Sequence, residues 1–442
     1  MHDCAVVLDS DRIASVVPVG EAGDAVQKLP RRALLPGFVN AHSHAFQRLI
    51  RGRTQWRPAN DPSADFWSWR EAMYGAALGM SPEDVEAVSA FCFLEMLKAG
   101  YTTVGEFHYL HNAPAGRPYE DPLELAARVL SAAERVGIRI VLLHVAYARG
   151  GVDEPLRTQQ RRFGTPSLDG YLAAVDALRK RAADMPRVSV GVAPHSIRAV
   201  PRDWIADTHA YARTHGLPFH MHVAEQPAEV DASLAVYGLR PVELLEQDGV
   251  LDHHLTAVHG THLMPHEIAA FGAAAVTVCA CPSTERDLGD GFLQGAELLH
   301  AGARLAIGTD SQSVIDAFEE VRLIEYHERL RKLRRIVLLD ADAHGDADPG
   351  SLLLDVATRG GARALQLDGG AIATGAYADL VAIDLDHIAL AGWTDETLAV
   401  HLALAGRAEC VSDVWVGGEQ RVRARRHEAE ESVVAGFTQR SG

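Results

Sequence analysis

The chain has 442 residues, 48% hydrophobic and 23% charged, which is ordinary for a soluble globular protein and enough for a large core. Its formal charge of −17 argues against nucleic acid and anionic membrane surfaces as partners. No run approaches the roughly 18 to 20 apolar residues that span a bilayer.

The opening "MHDCAVVLDSDRIASVV" puts acidic residues where a secretory leader needs an apolar core, so no targeting segment is read. Cys4, Cys92, Cys279, Cys281 and Cys410 are odd in number and scattered, which suits reduced thiols and a cytoplasmic protein. Cys279 and Cys281 form a C-x-C with no second pair, which argues against a zinc knuckle.

Residues 1–34 read as short β segments, "CAVVLD" and "IASVVPV", parted by Asp and Gly turns. From 35 onward, apolar runs alternate with longer amphipathic stretches. Strands are expected at 35–41, 102–107, 138–146, 188–193, 217–223, 255–259, 275–280 and 304–308. The stretch 81–99 reads as a helix opened by Ser-Pro and closed by Gly100. The basic run "RLRKLRR" at 329–335 reads as the solvated face of another helix. After about 365 the β texture returns in "GAIATGAYADLVAIDLD" and "VSDVWVGGEQRV". The pattern predicts a (β/α)₈ TIM barrel over 35–365. Segments 1–34 and 366–442, each too small for a core of its own, are expected to join in one small β-sandwich.

In such a barrel the chemistry sits at the C-terminal ends of the strands. The first expected strand ends at His42 and His44, whose i, i+2 spacing puts both imidazoles on one face. The second ends at Glu106, His108 and Tyr109, and the fourth at His195. The fifth carries His220 and His222 with Glu225 just beyond; the sixth ends at His259 and the eighth at Asp310. A single histidine on an apolar strand is usually a satisfied core residue, but packing does not explain histidines at the same end of five strands.

His42, His44, His222 and Asp310 supply three nitrogens and a carboxylate, a set suited to Zn²⁺ with a position left for water. Bound zinc can lower the pKa of that water to about 7. Glu225, three residues past His222, is then the expected general base and later acid. His259 is read as orienting the water or stabilising developing charge, and His220 as standing behind His222. A bridging modified lysine, as in two-metal barrels, is not expected. None of Lys28, Lys98, Lys180 and Lys332 falls at a strand end, so one zinc per chain is the reading. Arg198 lies on the loop after the fourth strand, where a planar guanidinium can grip a carboxylate with two hydrogen bonds.

"H-S-H", "H-V-A-E", "V-H" and "G-T-D-S" on the first, fifth, sixth and eighth strands resemble the amidohydrolase superfamily, in its mononuclear deaminase-type branch. "NAHSHAFQR", "FWSWREAMY", "EMLKAGYTTVGEFHYLH", "PHSIRAV", "HMHVAEQ" and "STERDLGDG" narrow the resemblance to the N-formimino-L-glutamate deiminases of histidine degradation. It implies metal ligands His42, His44, His222 and Asp310, catalytic roles for Glu225, His259 and Asp310, and a homodimer. It also implies a pocket of Gln47, Arg70, Tyr109, His195 and Arg198 for a small dicarboxylate. One position departs: Gln312 stands where "D-S-H" is common, and an amide cannot relay a proton. The competing readings are a related deaminase acting on guanine or cytosine, and an inactive barrel serving as a scaffold.

Overall fold

Each of the eight apolar runs contains a barrel strand in the computed structural model, which describes residues 3–23, 27–56, 64–339 and 348–440. They are β1 (Phe38–Ser43), β2 (Tyr101–His108), β3 (Arg139–Ala146), β4 (Val188–Pro194), β5 (Phe219–Val223), β6 (Leu255–His259), β7 (Thr277–Ala280) and β8 (Arg304–Ile307). The eight lie side by side in chain order and pair in parallel. Most are buried on both faces, as a parallel sheet wrapped by helices requires.

The barrel closes between β1 and the segment after β8. Asp310 N–H donates to His42 O, and His44 N–H donates to Asp310 O, each at 3.0 Å. Inside the same seam, Asn40 Nδ2 donates to Thr309 Oγ1 at 2.7 Å and Thr309 N–H donates to Asn40 Oδ1 at 3.1 Å.

The run expected as one strand at 35–41 is divided. Arg32–Pro36 joins a different sheet, antiparallel to Leu380–Asp384, and β1 starts only at Phe38. Gly37 is the joint, and a Cβ there would lie 2.1 Å from Thr102 Oγ1, so the chain turns from sheet to barrel where no side chain fits.

The helix expected at 81–99 spans Pro82–Lys98. Ser81 Oγ accepts from Asp84 N–H while Asp84 accepts from Ser81 N–H, a reciprocal cap with proline in the first turn. The basic run straddles the end of the helix Ala317–Lys332, where Leu333 turns left-handed at φ +51. Its charges are largely paired: Arg329 with Glu325, Arg331 with Glu328, and both Arg331 and Lys332 with Glu297.

The terminal segments form two antiparallel sheets. One is the hairpin Cys4–Asp9 and Arg12–Pro18; the other runs Arg426–His427, Glu419–Arg423, Val411–Val416, Leu380–Asp384, Arg32–Pro36. Ile13, Ala378, Leu380, Ala382 and Trp415 are buried together, with Val6 and Val16 of the hairpin packed on them. The same C-terminal segment holds the helices Leu398–Ala405 and Glu430–Thr438, which its β texture concealed; the second packs on the barrel helix Pro82–Lys98, with Phe437 stacked on Phe91. Arg139, the first residue of β3, binds Asp379 bidentately at 2.7 and 3.1 Å and stacks on Tyr377 at 3.6 Å. That pair ties the sandwich to the barrel end opposite the histidines. No helix among the described residues is long and apolar enough to cross a membrane.

Candidate active site

At the C-terminal end of the barrel, His42, His44, His222 and Asp310 bring one ligand atom each within 4.8 Å of all the others. His42 Nε2 and His44 Nε2 are 3.2 Å apart, and Asp310 Oδ1 lies 3.6 and 3.2 Å from them. Strand alternation explains the histidine pair, and the closing seam explains Asp310. The backbone that pairs His42 and His44 with Asp310 also delivers its carboxylate. Asp310 is left-handed (φ +45), as are Ala224 (+50), His259 (+73) and Gln312 (+64), so backbone strain gathers at three strand ends around this cluster.

The rings are held for ligation. His44 Nδ1 meets Phe107 O at 3.0 Å and His222 Nδ1 meets His195 O at 2.9 Å. A carbonyl only accepts, so each Nδ1 carries the proton and each Nε2 lone pair is left for the cluster. Burial pushes His42 down to about 3 and lowers His44 and His222 as well, which keeps the imidazoles neutral. Burial would raise Asp310, but its contacts with His42 and His44 prevail and hold it below the usual carboxylate range. Three neutral nitrogens and an ionised carboxylate, oriented from behind, fit a zinc-type ion. Gln312, the departing residue, faces away from this cluster. It accepts from Thr309 Oγ1 at 2.8 Å and donates to Ser43 Oγ at 3.0 Å and Asp310 O at 2.7 Å, so it braces the seam.

Glu225 and His259 flank Asp310. His259 Nε2 is 3.7 Å from both Glu225 Oε1 and Asp310 Oδ2, and its Nδ1 lies 3.3 Å from Glu285 Oε1. Burial alone would lower His259, but Glu225, Glu285 and Asp310 outweigh it and raise it to about 10. Cys281 also approaches His259 and Asp310, and its N–H donates to Glu285 Oε1 at 2.9 Å. On the other side Glu225 Oε2 accepts from Arg198 Nη2 at 2.6 Å.

Beyond the cluster lies a polar-aromatic wall. Gln47 Nε2 donates to Tyr109 OH at 2.9 Å, leaving Gln47 Oε1 buried without a hydrogen-bond partner among the described residues. Arg70, on the helix Phe66–Gly79, donates to Tyr147 OH at 3.1 Å. The Tyr147 ring stands 4.9 Å from that of His195. His195 is pushed well below its ordinary value by burial and then by the charges of Arg198 and Arg70.

The structure therefore brings all the residues singled out for the site to one end of the barrel, except two noted only as strand-end histidines. His108 turns toward His111 and His144, away from the cluster, and His220 engages Ala364 O at 2.7 Å. Sequence reasoning missed Glu229, Glu285, Tyr147, Tyr74 and Gln160. Glu285 is buried in the helix Pro282–Leu288, inside "STERDLGDG", a string read only for its family resemblance, and Gln160 and Tyr147 are brought together only by the loop after β3.

With this geometry in place, similarity to known proteins gains meaning. The amidohydrolase family pattern matches residues 33–421. A formimidoylglutamate deiminase of Pseudomonas aeruginosa is 38% identical over 437 residues, 98% of this chain and 94% of that protein. Among solved structures, an amidohydrolase from Brucella melitensis superposes with a TM-score of 0.89 at 34% identity, covering 99% of this chain and 95% of that one. An adenosine deaminase from Xanthomonas campestris with bound zinc superposes with a TM-score of 0.82 at 28% identity, covering 99% and 93%. The chain belongs to the amidohydrolase family and is a hydrolase acting on C–N bonds.

Proposed function

We propose that the protein hydrolyses N-formimino-L-glutamate to N-formyl-L-glutamate and ammonia, with one zinc ion held by His42, His44, His222 and Asp310. The observation that carries the reading is Arg70, a buried guanidinium at this end of the barrel that donates to Tyr147 OH and has no carboxylate partner among the described residues. A buried guanidinium without a protein carboxylate is costly unless an anionic group arrives beside it. The similarity to a formimidoylglutamate deiminase supports the same substrate.

A zinc ion in this donor set would supply an activated water. The chain's own residues do the rest. Glu225 accepts one water proton as oxygen adds to the formimino carbon and passes it to the imino nitrogen, then carries the second, from the new hydroxyl, to the same nitrogen as the C–N bond breaks, the formyl carbonyl forms and ammonia departs. His259, with Nδ1 held by Glu285, directs Nε2 at the space between Glu225 and Asp310, where the proton moves. Arg70, Arg198, Tyr109, His195 and Gln47 bind the two carboxylates, and the free Gln47 Oε1 accepts from the substrate nitrogen. The alternative substrate is a flat nucleobase. The aromatic wall of Tyr109 and Tyr147, inclined at 28°, and the adenosine deaminase neighbour favour it.

Ammonia release from formiminoglutamate, formiminoaspartate, guanine, cytosine and adenosine, on protein carrying about one equivalent of zinc, tests the reading. Formiminoglutamate should be turned over fastest by at least tenfold. A faster nucleobase, or full activity only with two equivalents of metal, would overturn it.

A further inference from the structure

Arg198 has two demands on one edge. Its Nη2 donates to Glu225 Oε2 at 2.6 Å, and its Nε lies 3.6 Å from Glu229 Oε2 with no hydrogen-bond partner among the described residues. Nε and Nη2 form the fork that grips a carboxylate with two parallel hydrogen bonds. Here that fork is spent on protein carboxylates, in a pocket where Arg198 and Glu225 side chains are only 8% and 7% exposed. Glu229 is fixed, because it also accepts from Ala224 N–H at 3.2 Å and Glu225 N–H at 3.3 Å. Glu225 is the partner that can leave: it is the terminal group of a flexible side chain, with its other oxygen toward His259.

Building on the formiminoglutamate reading, we propose that Arg198 is exchanged between the base and the substrate. In the free enzyme Nη2 of that fork holds Glu225. A substrate carboxylate competes for that fork, and its arrival frees Glu225 to take the water proton. Turnover then depends on a carboxylate being seated, which discriminates against amidines without an acid group at the level of kcat rather than KM. The guanidinium keeps a carboxylate partner throughout the exchange, while Glu225, released from it, is left with His259 at 3.7 Å.

The test uses zinc-loaded full-length enzyme and N-methylformamidine, which has the reacting group and no carboxylate. Wild-type enzyme should release ammonia from it slowly, and millimolar propionate or glutarate should raise kcat at least tenfold. Arg198→Met should hydrolyse N-methylformamidine several-fold faster than wild type, lose carboxylate activation, and lose at least 30-fold in kcat/KM on formiminoglutamate. A proportional loss on both substrates, or no activation of wild type by either acid, would overturn the exchange. Should Arg198→Met fold poorly, crystals of wild-type enzyme with N-formyl-L-glutamate decide the matter. Arg198 should bind the ligand and stand beyond hydrogen-bond distance of Glu225, and an intact Arg198–Glu225 contact in that complex refutes the exchange. Failure of wild type on formiminoglutamate, with carboxylate activation of N-methylformamidine intact, would remove the substrate assignment and leave the exchange standing.

Discussion

Glu225 is placed by three contacts: Arg198 on one oxygen, His259 opposite the other, and Glu229 under its amide. Glu225→Gln keeps the shape of the side chain and removes its ability to take a proton. The variant should retain its metal and melting temperature and lose on the order of 10² or more in kcat, read by single-turnover ammonia release beside elemental analysis. Glu106 shows a different consequence of burial. Its carboxyl accepts from Ser43 Oγ at 2.6 Å and Ala45 N–H at 2.8 Å, yet burial prevails and raises it to about 8. An acid whose folded pKa is raised costs no stability at low pH, where both states are protonated. Its penalty grows as pH rises from about 4.5, where the unfolded chain ionises, to about 8. Melting temperatures across that window should therefore fall more steeply for wild type than for Glu106→Gln, and parallel curves would contradict the assignment. The cluster of His42, His44, His222 and Asp310, with Glu225 beside it, was legible because each residue lies at or just past the end of a strand. The partner of Arg198 was not, since the loop after β4 and the residues after β5 meet only in three dimensions.

Among elements, the seam between β1 and β8 has the most to hold with the least strand. β8 is four residues long, and the closing contacts come after it, from Thr309 and Asp310. Asn40 crosses the seam twice and is fully buried. Asn40→Ala leaves Thr309 N–H and Oγ1 without their partner and should cost on the order of 2 to 3 kcal/mol in denaturant unfolding. The same variant should weaken metal retention, measured by chelator competition, because Asp310 is delivered by this backbone. Apolar runs announce the strands themselves, so their places were readable within a few residues. The break at Gly37 was passed over: Pro36-Gly37 marks a turn, but the apolar residues on both sides read as one strand, and nothing in the run says which sheet each half will join.

For the whole molecule, the Arg139–Asp379 pair is the clearest link between the barrel and the sandwich. Both side chains are buried, at 4% and 6% exposure, so removing one partner strands the other charge. Arg139→Met should destabilise the protein by about 3 to 5 kcal/mol, and adding Asp379→Asn should restore much of that loss. Because the pair lies at the end remote from the site, kcat of the folded fraction should stay near wild type in both variants. A selective loss of kcat would show that the sandwich shapes the chemistry. The terminal segments could be read as one unit because neither has enough apolar surface alone, whereas the helices inside the second are masked by alternating strand-like texture.

The backbone bonds that close the barrel belong to the same residues that present ligands to the metal. Loading and closure would therefore be one event in the energy balance of this chain: an ion held by His42, His44 and Asp310 would also clasp the last two edges of the sheet together. Stripping the ion would be felt first as breathing at the amides of His44 and Asp310, well before any helix loosens.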